Sequence, residues 1–245
     1  MARYKLILAY DGTAFHGFQR QASQRTVQSE VEKALAGIGW RGASILAAGR
    51  TDTGVHALGQ VVSFDLDWAH GDSDLANALN ANLPGDIAAK NVSVVADDFH
   101  PRYDARARTY RYQIISEPQP DPLRERYAWR VWPQPEIESL QAAAELLTGG
   151  HDFAAFGAPM EDGGSTIREI FSAQWLQVGD QTTFEIAANA FLYHMVRHIV
   201  DLLVEIGLGK KPPQEVLQYL EPENNLRVQG LAPPHGLFLT EVRYK

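Results

Sequence analysis

Residues 3–12 read Arg3-Tyr4-Lys5-Leu6-Ile7-Leu8-Ala9-Tyr10-Asp11-Gly12. Successive side chains of an extended chain point to opposite faces, so Tyr4, Leu6 and Leu8 share one face while Lys5, Ile7 and Ala9 share the other. Asp11-Gly12 ends this strand in a turn. Working outward, Thr26 is placed to cap a helix in which Val27, Val31, Ala34, Leu35 and Ile38 keep helical spacing, and Gly37 and Gly39 stop it. Further strands are expected over 43–48, 60–64, 92–96 and 109–115, and a helix over 73–82 that ends before Leu83-Pro84-Gly85. Strands and helices mix without tandem repeats, which is an α+β order.

Pro118, Pro120, Pro122, Pro133 and Pro135 then punctuate the chain. Each removes a backbone donor, so no regular ladder runs through them, and a domain junction is expected close by. Beyond it come a helix over 135–147, a glycine-rich loop through Gly149, Gly150, Gly157, Gly163 and Gly164, and strands over 167–178 and 182–188. A helix over 190–207 and a closing strand over 237–244 complete the pattern.

The 245 residues are 45% hydrophobic and 21% charged, the balance of an ordinary globular chain rather than a disordered one. The absence of cysteine excludes disulfides, thiolate metal sites and thiol nucleophiles. The opening residues lack a clustered positive region and a cleavage site, and no apolar run reaches about 18 residues. A cytoplasmic protein without a membrane segment is therefore expected. The net charge of -8 disfavours a uniformly basic nucleic-acid binder. That total hides a division, because residues 1–60 and 100–130 are each net +3, whereas 61–99 and 131–245 are net -6 and -8. Segment 100–130 interleaves Arg102, Arg106, Arg108, Arg111, Arg124, Arg126 and Arg130 with Tyr103, Tyr110, Tyr112 and Tyr127. Guanidinium forks suit phosphates and tyrosine faces stack bases, but a half-exposed strand with charged outward positions gives the same pattern.

The densest chemistry lies in Gly49-Arg50-Thr51-Asp52-Thr53-Gly54-Val55-His56-Ala57, a turn that presents an arginine, a carboxylate and an imidazole. The plainer alternative is a β-turn in which Asp52 bonds nearby amides. Asp52-Thr53-Gly54 is also the tripeptide of aspartic proteases, which need two carboxylates sharing a proton, and the sequence holds no second copy. On the expected helix 190–207, His194, Arg197, Asp201 and Glu205 form one polar stripe on an otherwise apolar surface. Arg197 either pairs with Asp201 one turn on, or with a distant carboxylate such as Asp52. His194 and His198 have the spacing of helical metal ligands, yet Met195 stands where metalloprotease helices carry Glu. Asp65-Leu66-Asp67 lacks the threonine of a phosphoryl-transfer motif, and no nucleotide-binding glycine loop is present.

The chain resembles the bacterial tRNA pseudouridine synthase A family. The resemblance rests on Tyr10-Asp11-Gly12-Thr13, Phe15 to Gln19, Gly49-Arg50-Thr51-Asp52 through Val55-His56, and Gly59-Gln60-Val61-Val62. It continues through Asn82-Leu83-Pro84-Gly85-Asp86-Ile87, Asp98-Phe99-His100, Tyr110-Arg111-Tyr112, His151-Asp152-Phe153, Met195-Val196-Arg197 and Gly236-Leu237, in one order over nearly the whole chain. It implies an α+β fold with two α/β halves, ferredoxin-like or RRM-like, around a central mostly antiparallel sheet, with the active-site cleft between them. The halves would be 1–105, carrying Asp52, and 106–245, carrying the Arg197 helix. The implied reaction is isomerisation of uridine to pseudouridine in the tRNA anticodon arm, at positions 38, 39 and 40, by a homodimer without metal or cofactor. By position, Asp52 resembles the catalytic aspartate, which attacks C1′ or takes a proton from C2′ of the ribose. Arg197 resembles its arginine partner, Tyr110 the tyrosine against the target base, Arg50 the arginine that fills the space left by a flipped nucleotide, and Leu237 a pocket-lining residue. Phe18 stands where the family usually has Trp, Gly157 where an Arg is common, and Asp201 where a Gly is usual. The extra carboxylate at Asp201 sets up an alternative, a tRNA-binding protein of the same fold with impaired catalysis.

Overall fold

The computed structural model describes residues 1–159 and 163–244. Its elements are β1 (Ala2–Tyr10), α1 (Val27–Gly37), β2 (Leu46–Ala47), β3 (His56–Leu66), α2 (Asp72–Asn82), β4 (Ile87–Val95), β5 (Ala107–Ile115) and β6 (Trp129–Arg130). They continue with α3 (Ile137–Glu145), β7 (Gly149–Asp152), β8 (Ile167–Val178), β9 (Gln181–Ala188), α4 (Met195–Gly207), α5 (Glu215–Leu220) and β10 (Leu237–Arg243). The chain forms two compact units, Met1–Arg106 with Phe238–Lys245, and Ala107–Leu237. Each is a mixed α and β unit whose sheet is mostly antiparallel.

In the first unit the strand order is β4-β1-β3-β10, with β2 on β3. β1 is antiparallel to both neighbours, and its expected alternation is observed, with Tyr4, Leu6, Leu8 and Tyr10 buried. Tyr4 stacks on Phe64 across the strand pair at 5.9 Å. Thr26 caps α1 reciprocally with Ser29: the Ser29 amide donates to Thr26 Oγ1 at 3.3 Å and the Thr26 amide to Ser29 Oγ at 3.2 Å. α1 and α2 pack on each other and α2 packs on β4. The final strand, expected in the second half, counts with the first unit, because Phe238 and Leu239 pair in parallel with His56 and Ala57 of β3. Strand 43–48 shrinks to two residues.

In the second unit the order is β5-β9-β8-β7, all antiparallel, with β6 parallel to β5. α3 packs on β8 and on α4. Tyr112, Ile114, Leu140, Phe184, Ile186 and Leu203 are fully buried between these layers. The prolines from Pro118 to Pro135 lie inside this unit, so the broken ladder they impose is the connection from β5 to α3 and not a domain junction. Met160, Glu161 and Asp162, in the expected glycine-rich loop, lie outside the described residues, as does Lys245. Among the described residues no helix is long and apolar enough to cross a membrane.

The helix expected from 190 begins instead at Met195. His194 adopts a left-handed backbone with φ of +63°, and the Tyr193 amide donates to the Ala158 carbonyl at 2.9 Å. Residues 191–194 thus belong to a loop hooked onto 157–158 by an isolated bridge. Gly157 suits this hook, because a Cβ there would sit 2.4 Å from the Tyr193 carbonyl oxygen.

Candidate active site

The loop that carries Arg50 and Asp52 is tied to the first unit by backbone and side-chain bonds. Tyr10 Oη and Thr51 Oγ1 are 2.8 Å apart, the Phe18 amide donates to the Thr51 carbonyl at 3.0 Å, and the Val55 amide donates to the Asp52 carbonyl at 3.1 Å. Gly54 takes φ of +79°, the left-handed conformation that closes this turn. From the turn after β1, the Gly12 amide donates to His56 Nδ1 at 2.9 Å. A Cβ on Gly12 would fall 2.0 Å from the Val55 carbonyl oxygen, so the two turns touch backbone to backbone. Phe18 fills the wall beside them, buried, with its ring 6.4 Å from that of Tyr10. The result is a half-buried Asp52 and an exposed Arg50 on a loop whose main chain is held at several points.

In the second unit Tyr110 stands on β5 opposite Ile186, half-buried, with its ring edge-on to Phe191 at 5.1 Å. Arg197 lies in the first turn of α4 and is only 9% exposed. Its Nε donates to the Ala232 carbonyl at 2.7 Å, and the Ala232 amide donates back to the Arg197 carbonyl at 3.3 Å. The solvated-face pairing does not describe so buried a side chain. Ala232 belongs to a strap, residues 227–236, that no periodic signal marks in the sequence. The Val228 amide holds one end to the Ala155 carbonyl at 3.0 Å, and Tyr112 Oη donates to the Pro233 carbonyl at 2.8 Å near the other. Gly236 passes directly against the Tyr112 ring, and Leu237, buried, ends the unit. Burial holds the Tyr112 phenol well above the ordinary tyrosine range, with Arg197 pulling it down and Asp201 pushing it up.

Asp201 packs against the strap rather than along α4. Its carboxylate is so near Gly230 that a Cβ there would stand 1.7 Å from Oδ2. Burial, then the Glu205 charge, raise its pKa, against His198, Lys210 and Lys211. His198, which shares only the spacing of helical metal ligands with His194, has its Nδ1 2.7 Å from the Gly230 carbonyl, and His194 lies outside the helix.

The arginines of segment 100–130 sort into distinct jobs. Arg124 is bonded to Glu117 and Asp180, and holds Asp180 down at about 2. Arg130 pairs with Glu125 at 3.0 Å, Arg111 approaches Glu185 at 3.5 Å, and Arg108 donates to the Asn189 carbonyl at 2.9 Å. Arg102, Arg106 and Arg126 are exposed, the first and last stacked over Tyr103 and Tyr127. The structure thus puts Arg50 and Asp52 together on one loop of the first unit, and Tyr110, Arg197 and Leu237 in the second.

The turn that carries Asp52 in the first unit and the buried Arg197 in the second are the candidate functional features of the chain. The chain matches the family described as tRNA pseudouridine synthase over residues 6–104 and 143–245, and it belongs to that family. It is 41% identical over 246 residues to a "tRNA pseudouridine synthase A" of Exiguobacterium sp., covering 100% of this chain and 99% of that one. It is 42% identical to the protein of the same name from Halalkalibacterium halodurans, covering 97% of this chain and 90% of the relative. A third relative so named, from Pseudothermotoga lettingae, is 39% identical with both chains fully covered.

Proposed function

We propose that this protein isomerises uridine to pseudouridine in tRNA, in the anticodon arm at positions 38, 39 and 40, with Asp52 as the catalytic carboxylate. The reading rests on membership of the tRNA pseudouridine synthase family along nearly the whole chain. In this reaction the bond from C1′ to N1 breaks and one from C1′ to C5 forms, while N1 ends with a proton and C5 loses one. Atoms balance without an oxidant or a reductant. Asp52 acts at the ribose, and it must stay ionised when substrate displaces water. Arg197 supplies the guanidinium that keeps such a carboxylate charged, and its grip by Ala232 supports a fixed direction of approach. Tyr110 stacks the target uracil, Leu237 lines the pocket, and Arg50, exposed, fills the gap left by the flipped nucleotide.

The tRNA-binding protein with impaired catalysis depends on Asp201 drawing Arg197 away. That ground is weak, because Asp201 lies against Gly230 while Arg197 Nε donates to Ala232. A homodimer is supported by the outward stripe of Ile167, Phe171, Leu176 and Val178 on β8, opposite the side that α3 covers. The cytoplasm is the compartment this substrate calls for. The test is incubation with unmodified tRNA transcript followed by mapping of pseudouridine: the wild-type protein forms it, and Asp52→Asn binds tRNA without forming product. Absence of product from the wild-type protein at saturating tRNA refutes the proposal.

A further inference from the structure

We propose that His198 is a positioning residue for the reaction: it clamps the strap 227–236 onto α4 and thereby fixes the Ala232 carbonyl that orients Arg197. The inference rests on the reading of Arg197 as part of the active site. A carbonyl oxygen only accepts, so the 2.7 Å contact between His198 Nδ1 and the Gly230 carbonyl requires the imidazole proton on Nδ1. Two residues further along, the Ala232 carbonyl accepts from Arg197 Nε at 2.7 Å, and its amide returns a bond to the Arg197 carbonyl. Consecutive residues of one helix turn therefore grip alternate residues of the strap.

The geometry singles out His198 because the strap has no ladder of its own. Between Val228, bonded to Ala155, and Pro233, bonded to Tyr112, its course follows its bonds to α4 and its approach to Asp201. Asp201 meets Gly230 by contact alone, which limits how close the strap can come. His198 supplies the attraction that holds it there. Without that bond the strap is free to lift at Gly230, and the Ala232 carbonyl moves with it. Arg197 then stays in place but its Nε bond to the strap is disturbed, an error of orientation to which catalysis is more sensitive than binding.

His198→Ala, His198→Asn and His198→Gln test this. Asparagine carries an N–H donor near the place of Nδ1, whereas glutamine carries its donor near the place of Nε2, away from Gly230. Single-turnover release of tritium from tRNA labelled at uridine C5 reads the reaction, filter binding reads tRNA affinity, and hydrogen exchange reads the strap amides. His198→Ala is expected to slow the reaction about 10- to 100-fold. Its tRNA affinity should stay within about threefold of wild type, and amides 228–232 should exchange faster. His198→Asn should recover most of the rate, and His198→Gln should not. A His198→Ala rate within about threefold of wild type, or equal rates for Asn and Gln, overturns the proposal. The Asn and Gln comparison decides the matter if the alanine variant does not fold. Asp52→Asn, assayed alongside, separates the two readings. Absence of product from the wild-type protein refutes the proposed function, product from Asp52→Asn refutes the catalytic role of Asp52, and loss of product in Asp52→Asn together with an unimpaired His198→Ala refutes only the role of His198.

Discussion

Replacing Gly12 with alanine adds one methyl group at the place where the turn after β1 touches the loop of Asp52. The Cβ would stand 2.0 Å from the Val55 carbonyl oxygen and 2.5 Å from its carbonyl carbon, both backbone atoms. Real Cβ atoms essentially never come within 3.0 Å of such an atom, so one of the two turns must retreat by at least about 1 Å. No rotamer change relieves a clash between main chains. The movement also pulls the Gly12 amide from His56 Nδ1, a buried bond of 2.9 Å. Overpacking of this kind costs about 1 to 3 kcal/mol, and near 250 residues each kcal/mol lowers Tm by roughly 2 to 4 °C. A displacement of about 1 Å at a reacting group lowers the rate by roughly 100-fold. Thermal melting and single-turnover pseudouridine formation should thus report a Tm lower by several degrees and a reaction slower by about two orders of magnitude, with tRNA affinity little changed. A Gly12→Ala protein that works within about twofold of wild type at unchanged Tm would refute the argument that this backbone contact sets the position of Asp52.

Three further outcomes follow from the second unit. Asp201→Asn should raise Tm, and more so as pH rises: the raised native pKa means that the stabilisation by the bound proton is complete below the unfolded value and is lost as pH climbs through the folded one. Melting curves from pH 4 to 8 check this, and a benefit that is largest at low pH contradicts it. Tyr112→Phe leaves the half-buried Pro233 carbonyl without its donor and should cost about 0.5 to 1.5 kcal/mol in urea unfolding, with faster exchange of amides near 233. Gly157→Ala pushes a methyl against the Tyr193 carbonyl and should destabilise by about 1 to 3 kcal/mol, whereas a neutral result would show that the hook to residues 157–158 yields easily.

The sequence by itself determined what short-range physics controls. The alternation from Tyr4 to Tyr10, the Thr26 cap and the strands β8 and β9 depend on neighbours within a few residues, and each is found where expected. The matching motifs also single out Asp52 and Arg197 as the candidates on which the proposed chemistry rests. Tertiary structure decided where long-range bonds override local pattern. Phe191 to His194 continue a helical spacing, yet the bridge from Tyr193 to Ala158 unwinds them and moves the start of α4 to Met195. β6 and β7 are too short to show a period, and exist because β5 and β8 offer partners. Asp201 sits four residues from Arg197, the spacing of a helical ion pair, but meets Gly230, while Arg197 Nε donates to a carbonyl 35 residues away. No spacing rule foretells that bond, because its acceptor lies on a strap without periodicity, brought to the helix only when the unit closes around Tyr112.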